Sequence, residues 1–254
     1  MRIIGIIPAH LESKRLPRKA LIDIHGLPMV VHTYKRACMS KMLDEVYVAT
    51  DSTEIAEVII KYGGNVNITG KHNTGSDRVA EASRGVCGDI IVNIQGDEPL
   101  LNPDHIDTIL APVMEEKVDV AFGVTPYYRR GRPSDIKAVL DTNMNIMFCS
   151  RSDIPSDSRT TNPRMMKMVF IVPFTYDFLQ EYSQMDQTPL ERIESNEYLR
   201  ILENGYKMRG VLVRDAHISV DTPQDLEEVR RIMMTDILRR EYSSFIGNIK
   251  EEKE

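Results

Sequence analysis

The sequence predicts an α/β protein with a mainly parallel, twisted sheet flanked by helices. Continuous apolar runs, Ile3-Ile4-Gly5-Ile6-Ile7 and Ile90-Ile91-Val92-Asn93-Ile94, have the composition of strands covered on both faces. Amphipathic stretches of helical length separate such runs through the first half of the chain, which implies right-handed β-α-β units. The 254 residues contain no internal repeat and no low-complexity segment, and they suffice to bury a full core as one domain, with room for a small subdomain.

In chain order, the first strand covers residues 3–7. A helix follows over 28–39, with Pro28 in its first turn and Met29, Val30, Tyr34 and Ala37 on its apolar side. Residues 45–49 form a strand, after which Ser52 or Thr53 caps a helix that ends at Gly63-Gly64. A short strand over 65–69, a helix over 75–84 and the most apolar strand, 89–94, complete the alternating part. A helix over 104–116 and a strand over 118–125 come next. The alternation then lapses. Segments 138–140 and 146–149 flank Asp141-Thr142-Asn143-Met144-Asn145 and read as a β-hairpin. Residues 151–163 are rich in Ser, Thr, Asp, Asn and Pro, the composition of a mobile loop or an oligomer arm. One strand over 168–173, helices over 176–182 and 195–204, a strand over 208–213 and one long helix over 222–241 are expected beyond it. Residues 250–254 are expected to fray.

Composition narrows the function. A net charge of −6 argues against broad nucleic-acid binding, which calls for a basic surface. No run approaches the roughly 18 apolar residues of a membrane span. The apolar start of the chain is short and meets Pro8 and then charged residues, so it reads as a strand and not as a signal peptide. Cys38, Cys87 and Cys149 are widely spaced and offer neither a zinc pattern nor a disulfide framework, which points to a reducing cytoplasm.

Two stretches carry the chemistry. Pro8-Ala9-His10-Leu11-Glu12-Ser13-Lys14-Arg15-Leu16-Pro17-Arg18-Lys19 leaves the first strand at its carboxyl end, where α/β sheets bind ligands. Pro17 argues against a simple helix there, so the cations are expected to splay from an irregular turn; the alternative is a solvated surface loop. Neither GxxxxGK[ST] nor GxGxxG is present, which leaves P-loop and dinucleotide readings unsupported. In Gln95-Gly96-Asp97-Glu98-Pro99, a carboxylate ends a buried strand after a glycine that would let a ligand approach, a suitable place for Mg²⁺; the alternative is that Asp97 caps the turn. Asp221 or Thr222 N-caps a helix that has Pro223 in its first turn, and such a cap can also be a metal ligand. Cations and amides that hold phosphate oxygens, with a carboxylate for a metal beside them, suggest a nucleotidyltransferase.

The likeness to one family extends over nearly the whole chain. It includes the Pro8-Ala9 loop with Ser13, Arg15-Leu16-Pro17 and Lys19, then Gly26-Leu27-Pro28-Met29-Val30-Val31-His32 and Val48-Ala49-Thr50-Asp51. Thr74-Gly75-Ser76-Asp77-Arg78, Gln95-Gly96-Asp97-Glu98-Pro99, Ile136-Lys137-Ala138-Val139-Leu140, Ser150-Arg151 and Val220-Asp221-Thr222-Pro223 continue it. In these motifs the chain resembles the CMP-Kdo synthetases, the 3-deoxy-manno-octulosonate cytidylyltransferases. The resemblance implies a Rossmann-like nucleotidyltransferase fold over 1–254, with a nucleotide half near 1–125, a small β-rich acceptor and dimerisation half near 126–220, and a C-terminal helix in 221–254. It implies that Arg15 and Lys19 grip the CTP triphosphate and act in catalysis with Asp97. By the same likeness Pro8, Ala9, His10, Ser13, Ser76, Arg78 and Gln95 bind the nucleotide, and Asp97 and Asp221 share Mg²⁺. Lys137, Arg151 and Glu197 would face an acidic acceptor, and the segment after Arg151 would pair two copies into a homodimer. The activity implied is CMP transfer to a Kdo-type sugar acid for lipopolysaccharide.

The chain departs from that pattern at identifiable places. His10 stands where the family has Arg, and Arg18 where it has Gly. Met168-Val169-Phe170-Ile171-Val172-Pro173 replaces an H-L-G-I-Y-like strand on the acceptor side, and Glu197-Tyr198-Leu199-Arg200 replaces E-Q-L-R. Apolar groups thus replace hydrogen-bonding ones, which leaves another ulosonic acid or a phosphonate as alternative acceptors. The rival from another class is a non-catalytic nucleotide-binding protein; Asp97, Asp221, Arg15 and Lys19 together speak against it.

Overall fold

The computed structural model describes residues 1–13, 15–116, 118–160 and 163–243; Lys14, residues 161–162 of the expected arm and the terminal residues 250–254 lie outside the described residues. In order the elements are β1 (Ile3–Ala9), a 3-10 turn (Lys19–Leu21), β2 (Asp23–Ile24), β3 (Leu27–Pro28), α1 (Met29–Ala37), β4 (Glu45–Thr50), α2 (Thr53–Lys61) and β5 (Asn65–Ile68). There follow α3 (Gly75–Ser83), β6 (Ile90–Ile94), α4 (Pro103–Glu115), β7 (Ala121–Tyr127), β8 (Lys137–Leu140), β9 (Ile146–Ser150), β10 (Met165–Val169) and β11 (Ile171–Thr175). The last are α5 (Tyr176–Gln184), α6 (Pro189–Glu194), α7 (Leu199–Glu203), β12 (Arg209–Leu212) and α8 (Pro223–Met233).

The chain forms two compact units, each assembled from separate segments. One, here the N-terminal unit, comprises Arg2–Gly88, Asn93–Asp104 and His217–Glu254; the other, the central unit, comprises Met1, Asp89–Val92 and His105–Ala216.

The N-terminal unit is the expected parallel α/β layer. β1 runs parallel to β4, from Ile4 opposite Glu45 to Ala9 opposite Thr50, and β4 runs parallel to β5. Within this unit β1, β4 and β5 lie side by side in that order. Ile4, Ile6 and Ile7 are fully buried, so side chains on both faces of β1 leave water, as the unbroken apolar run requires. Helix starts match their side-chain caps. Ser52, not Thr53, caps α2 by accepting from Ile55 N, and Thr74 caps α3 by accepting from Asp77 N. Gly63 ends the α2 turn with φ +71°, a left-handed conformation natural to glycine. Ile24, Met29, Val220, Leu226, Val229 and Met233 pack into one cluster, which anchors the start of α8 against the residues following β1. The hairpin β2–β3 has no counterpart in the sequence reading, because two-residue strands are too short to show a period of two.

The central unit holds a mixed five-stranded sheet of order β12-β7-β10-β8-β9. β7 pairs parallel with β12 and antiparallel with β10, while β8 and β9 form the expected hairpin with Lys137 opposite Ser150. The Asp141 carboxylate closes that turn by accepting from the backbone N–H groups of Asn143 and Asn145 and from the Asn145 side chain.

Three expectations are corrected here. The single strand over 168–173 is two strands, β10 and β11, parted at Phe170, whose ring stacks on Tyr198 at 5.7 Å between centroids. The helix expected over 195–204 begins only at Leu199. Ser195 adopts φ 47°, ψ 49° at the end of α6, a conformation no helix interior allows. The long last helix ends at Met233, because Asp236 accepts from Arg239 N and so caps a new helical segment over 237–243.

Candidate active site

The loop after β1, the turn after β6 and the residues before α8 line one cavity of about 390 Å³ within the N-terminal unit. That volume lies within the roughly 300–1,000 Å³ typical of small-ligand sites. Pro8, Ala9, His10, Ser13, Arg15, Lys19, Gln95, Asp97 and Asp221 of the expected residues all line it, joined by Glu12, Ala20, Met29, Gly75 and Gly96. Met29 comes to the wall through the β2–β3 hairpin, which explains why its role was not legible in sequence.

Local structure places each charge. The loop is irregular, as Pro17 predicts: Arg18 takes φ 57°, ψ 31° and starts the 3-10 turn that carries Lys19 inward. The Lys19 ammonium donates to Asp97 Oδ2 at 2.6 Å and to Asp221 Oδ1 at 3.2 Å. Arg15 Nη2 donates to the same Asp221 Oδ1 at 2.9 Å. Two carboxylates from distant parts of the chain therefore flank one ammonium. The Asp97 carboxylate reaches Lys19 instead of capping its own turn. At α8 the helix cap is Thr222, which accepts from Asp225 N, so the preceding Asp221 keeps its carboxylate for the cavity. Asp225 in turn accepts from the N–H groups of both Asp221 and Thr222.

Gly96 lines the cavity, and a Cβ on it would lie 2.8 Å from the carbonyl oxygen of Pro8, so the absent side chain also lets two backbone segments of the cavity wall meet. Arg18 points away from the cavity and pairs with Glu54. It therefore adds no cation to the cavity, and His10 stands there in an exposed position.

The electrostatics are those of a crowded acidic pair around a cation. Desolvation foremost pushes the Asp97 carboxyl above its ordinary range; Glu98 and Asp221 add to this and Lys19 opposes it. For Lys19, burial disfavours the charge, yet Asp97 and then Asp221 overcome it and raise the ammonium above its usual value. Oxygen donors grouped in this way fit a hard divalent cation such as Mg²⁺, which would relieve the repulsion that burdens Asp97.

Other expected residues lie outside the cavity wall. Ser76 is fully buried and accepts from Asn93 Nδ2 at 3.1 Å. Arg78 donates to Thr69 Oγ1 at 2.7 Å and to the Gly70 carbonyl at 3.2 Å, and it pairs with Asp51, which fixes the segment between β5 and α3. Lys137, Arg151 and Glu197 belong to the central unit. Lys137 is fully buried, its ammonium donating to the carbonyls of Arg132, Asp135 and Arg151. Arg151 donates to the carbonyls of Pro133, Glu194 and Ser195. Glu197 is half-buried, and its carbonyl accepts from Tyr182 Oη. Phe170 and Tyr198, two of the departures on the acceptor side, stack on each other, and Tyr198 also meets Phe122 edge-on at 4.9 Å.

Comparison with known proteins accords with this geometry. Residues 4–236 match the family profile described as Cytidylyltransferase. The "3-deoxy-manno-octulosonate cytidylyltransferase" of Chlorobium limicola is 38% identical over 92% of this chain and 98% of its own length. That of Geobacter sulfurreducens is 40% identical over 90% of this chain and 98% of its own. A solved structure of CMP:2-keto-3-deoxy-manno-octonic acid synthetase complexed with CTP superposes with a TM-score of 0.87 at 36% identity, covering 92% of this chain and 99% of the other. The chain belongs to the cytidylyltransferase family, among the 3-deoxy-manno-octulosonate cytidylyltransferases.

Proposed function

We propose that the protein transfers CMP from CTP to 3-deoxy-manno-octulosonate with release of pyrophosphate, and that the reaction needs Mg²⁺. One observation carries this reading: Arg15, Lys19, Asp97 and Asp221 converge on a single cavity at the carboxyl end of β1. In the reaction an acceptor hydroxyl oxygen attacks the α-phosphorus and gives up its proton to solvent, a new P–O bond forms, and the bond to the departing pyrophosphate breaks, its electron pair leaving with the pyrophosphate. Asp97 and Asp221 would hold the metal, which when bound draws charge from the phosphate oxygens. Arg15, with its side chain 63% exposed, swings readily from Asp221 to the phosphates. Lys19 is held deeper and stabilises negative charge with little reorganisation. Gln95 offers both a donor and an acceptor to the nucleoside from the cavity wall.

Lys137, Arg151 and Glu197 are assigned to the acceptor side in the same proposal. For Lys137 and Arg151, contact with an acidic acceptor exchanges bonds to backbone carbonyls for bonds to a carboxylate. The Phe170–Tyr198 stack supports a second reading, a different ulosonic acid or a phosphonate as acceptor, because an aromatic pair offers few partners for sugar hydroxyls. A cytoplasmic location accords with three free cysteines, and among the described residues no helix is long and apolar enough to cross a membrane. Homodimer formation through the segment after Arg151 belongs to the same proposal and is read by light scattering on the purified protein.

The test is pyrophosphate release from CTP and Mg²⁺ with each acid in turn, using wild type, Asp97→Ala and Asp221→Ala. Wild type is expected to turn over with 3-deoxy-manno-octulosonate, and each variant to lose about 100-fold or more in kcat. Activity of Asp97→Ala near the wild-type level defeats the metal assignment. Turnover with another acid alone replaces the acceptor.

A further inference from the structure

We infer that Glu98, Ser219 and His217 form a buried clamp that positions Asp221 against Asp97, so that they set the affinity of the site for its divalent cation without touching it. The inference rests on the proposed role of Asp97 and Asp221 as metal ligands.

Segment 217–220 has no regular secondary structure, yet Asp221 follows it directly. Three attachments to the turn after β6 replace the missing ladder. Val220 N donates to the Asp97 carbonyl at 2.9 Å, which ties the backbone of one carboxylate to the residue before the other. Ser219 Oγ donates to Glu98 Oε1 at 2.9 Å. Asn102 N donates to His217 Nε2 at 2.9 Å. A backbone N–H can only donate, so Nε2 is the unprotonated ring nitrogen and Nδ1 carries the hydrogen. That Nδ1 faces Glu98 Oε2 at 3.5 Å.

Glu98 thus stands between two residues of the incoming segment, with each of its oxygens turned to one of them. It is 4% exposed and His217 is 8% exposed, so the contacts are sheltered from water and hold geometry better than surface bonds do. Asp225 secures the other side of Asp221 by accepting from its N–H. The backbone of Asp221 is therefore held from both directions, while its carboxylate accepts from Arg15 and Lys19. Partners of ligating groups in such positions commonly change metal affinity by about 10–100-fold when removed.

The experiment compares wild type, Ser219→Ala, Glu98→Ala and Glu98→Gln. Free Mn²⁺ is read by electron paramagnetic resonance in titrations of protein with CTP, and the Mg²⁺ half-saturation of pyrophosphate release is measured beside it. Ser219→Ala and Glu98→Ala are expected to weaken both by about 10-fold, with the KM for CTP at saturating Mg²⁺ within about threefold of wild type. Glu98→Gln is expected to stay within about threefold on every measure, because its amide can keep a hydrogen bond to the Ser219 hydroxyl, as acceptor or donor, and its other polar atom still faces His217. A purely structural role of Glu98 would lower thermal stability and leave metal affinity unchanged. Ser219→Ala, which removes one hydroxyl and threatens folding least, decides the matter if Glu98→Ala does not unfold cooperatively; wild-type metal affinity in Ser219→Ala overturns the clamp. If wild type itself binds no Mn²⁺ and turns over without Mg²⁺, the metal reading fails instead.

Discussion

Replacing Lys19 with Met removes the ammonium that donates to both Asp97 and Asp221, at 2.6 Å and 3.2 Å. Its side chain is 17% exposed, against 27% for Asp97 and 28% for Asp221, so the pair lies between a surface and a buried ion pair. Exposed pairs contribute about 0–1 kcal/mol, and removing one partner of a fully buried pair costs about 3–5 kcal/mol. An intermediate loss of about 2 kcal/mol follows, which for a chain of this size lowers Tm by about 4–8 °C. The pH dependence adds a sign. Lys19 has a raised pKa, so its stabilisation is complete below its ordinary 10.5 and fades only as pH rises through the folded value. The Asp97 carboxyl is also raised, and losing Lys19 removes the group that opposes that rise. In Lys19→Met the folded state therefore takes up a proton at Asp97 more readily, and the deficit narrows as pH falls. Thermal unfolding by circular dichroism at about pH 8 and about pH 5 measures both effects, expected as a smaller gap from wild type at the lower pH. A Tm within about 1 °C of wild type at both pH values, which is far below the expected shift, refutes the reasoning.

Arg15→Met should separate stability from function: its ion pair is mostly exposed, so unfolding free energy changes by less than about 1 kcal/mol, while the KM for CTP rises about 10-fold or more; an unchanged KM removes Arg15 from the triphosphate site. Gly96→Ala places a methyl 2.8 Å from the Pro8 carbonyl oxygen, where only backbone movement makes room. It should cost about 1–3 kcal/mol in denaturant unfolding and lower kcat, and wild-type stability contradicts the close approach. His32 is buried, with Nε2 and Nδ1 bonded to the Ile24 carbonyl and Tyr242 Oη. Desolvation lowers its pKa to about 4, against which the Ile24 carbonyl acts weakly. Its contribution to stability is present above its ordinary 6.5 and is lost as pH falls toward 4, so the imidazole resonances should titrate near 4 by NMR; titration at the ordinary value contradicts the burial.

How much was legible depended on the range of the interaction. β1, β4 and β6 were readable because side chains buried on both faces leave an apolar run in consecutive positions. The starts of α2 and α8 were readable because Ser52 and Thr222 satisfy the helix's own first N–H groups, a contact of three residues' reach. The basic loop and Asp97 were readable as chemistry because strand ends open onto ligand sites. The break at Phe170 was hidden, since the stacking partner Tyr198 comes from another element. For Lys137 the sequence offers only a likeness to an acceptor contact, and only the folded chain supplies the carbonyls of Arg132, Asp135 and Arg151 on which it is buried.

The sequence by itself determined the alternation of strands and helices, the family, and which side chains carry charge near the ends of strands. The alternation and the charged strand ends follow from periodicity, caps and composition, each confined to neighbouring residues, and the family from the likeness of motifs along the chain. Tertiary structure alone decided that Asp97 and Asp221 share Lys19, that Gly96 faces the Pro8 backbone, that Arg18 turns to Glu54, and that Glu98 reaches Ser219. Electrostatic and packing energies depend on separation in space, and a linear chain records that separation only once it has folded.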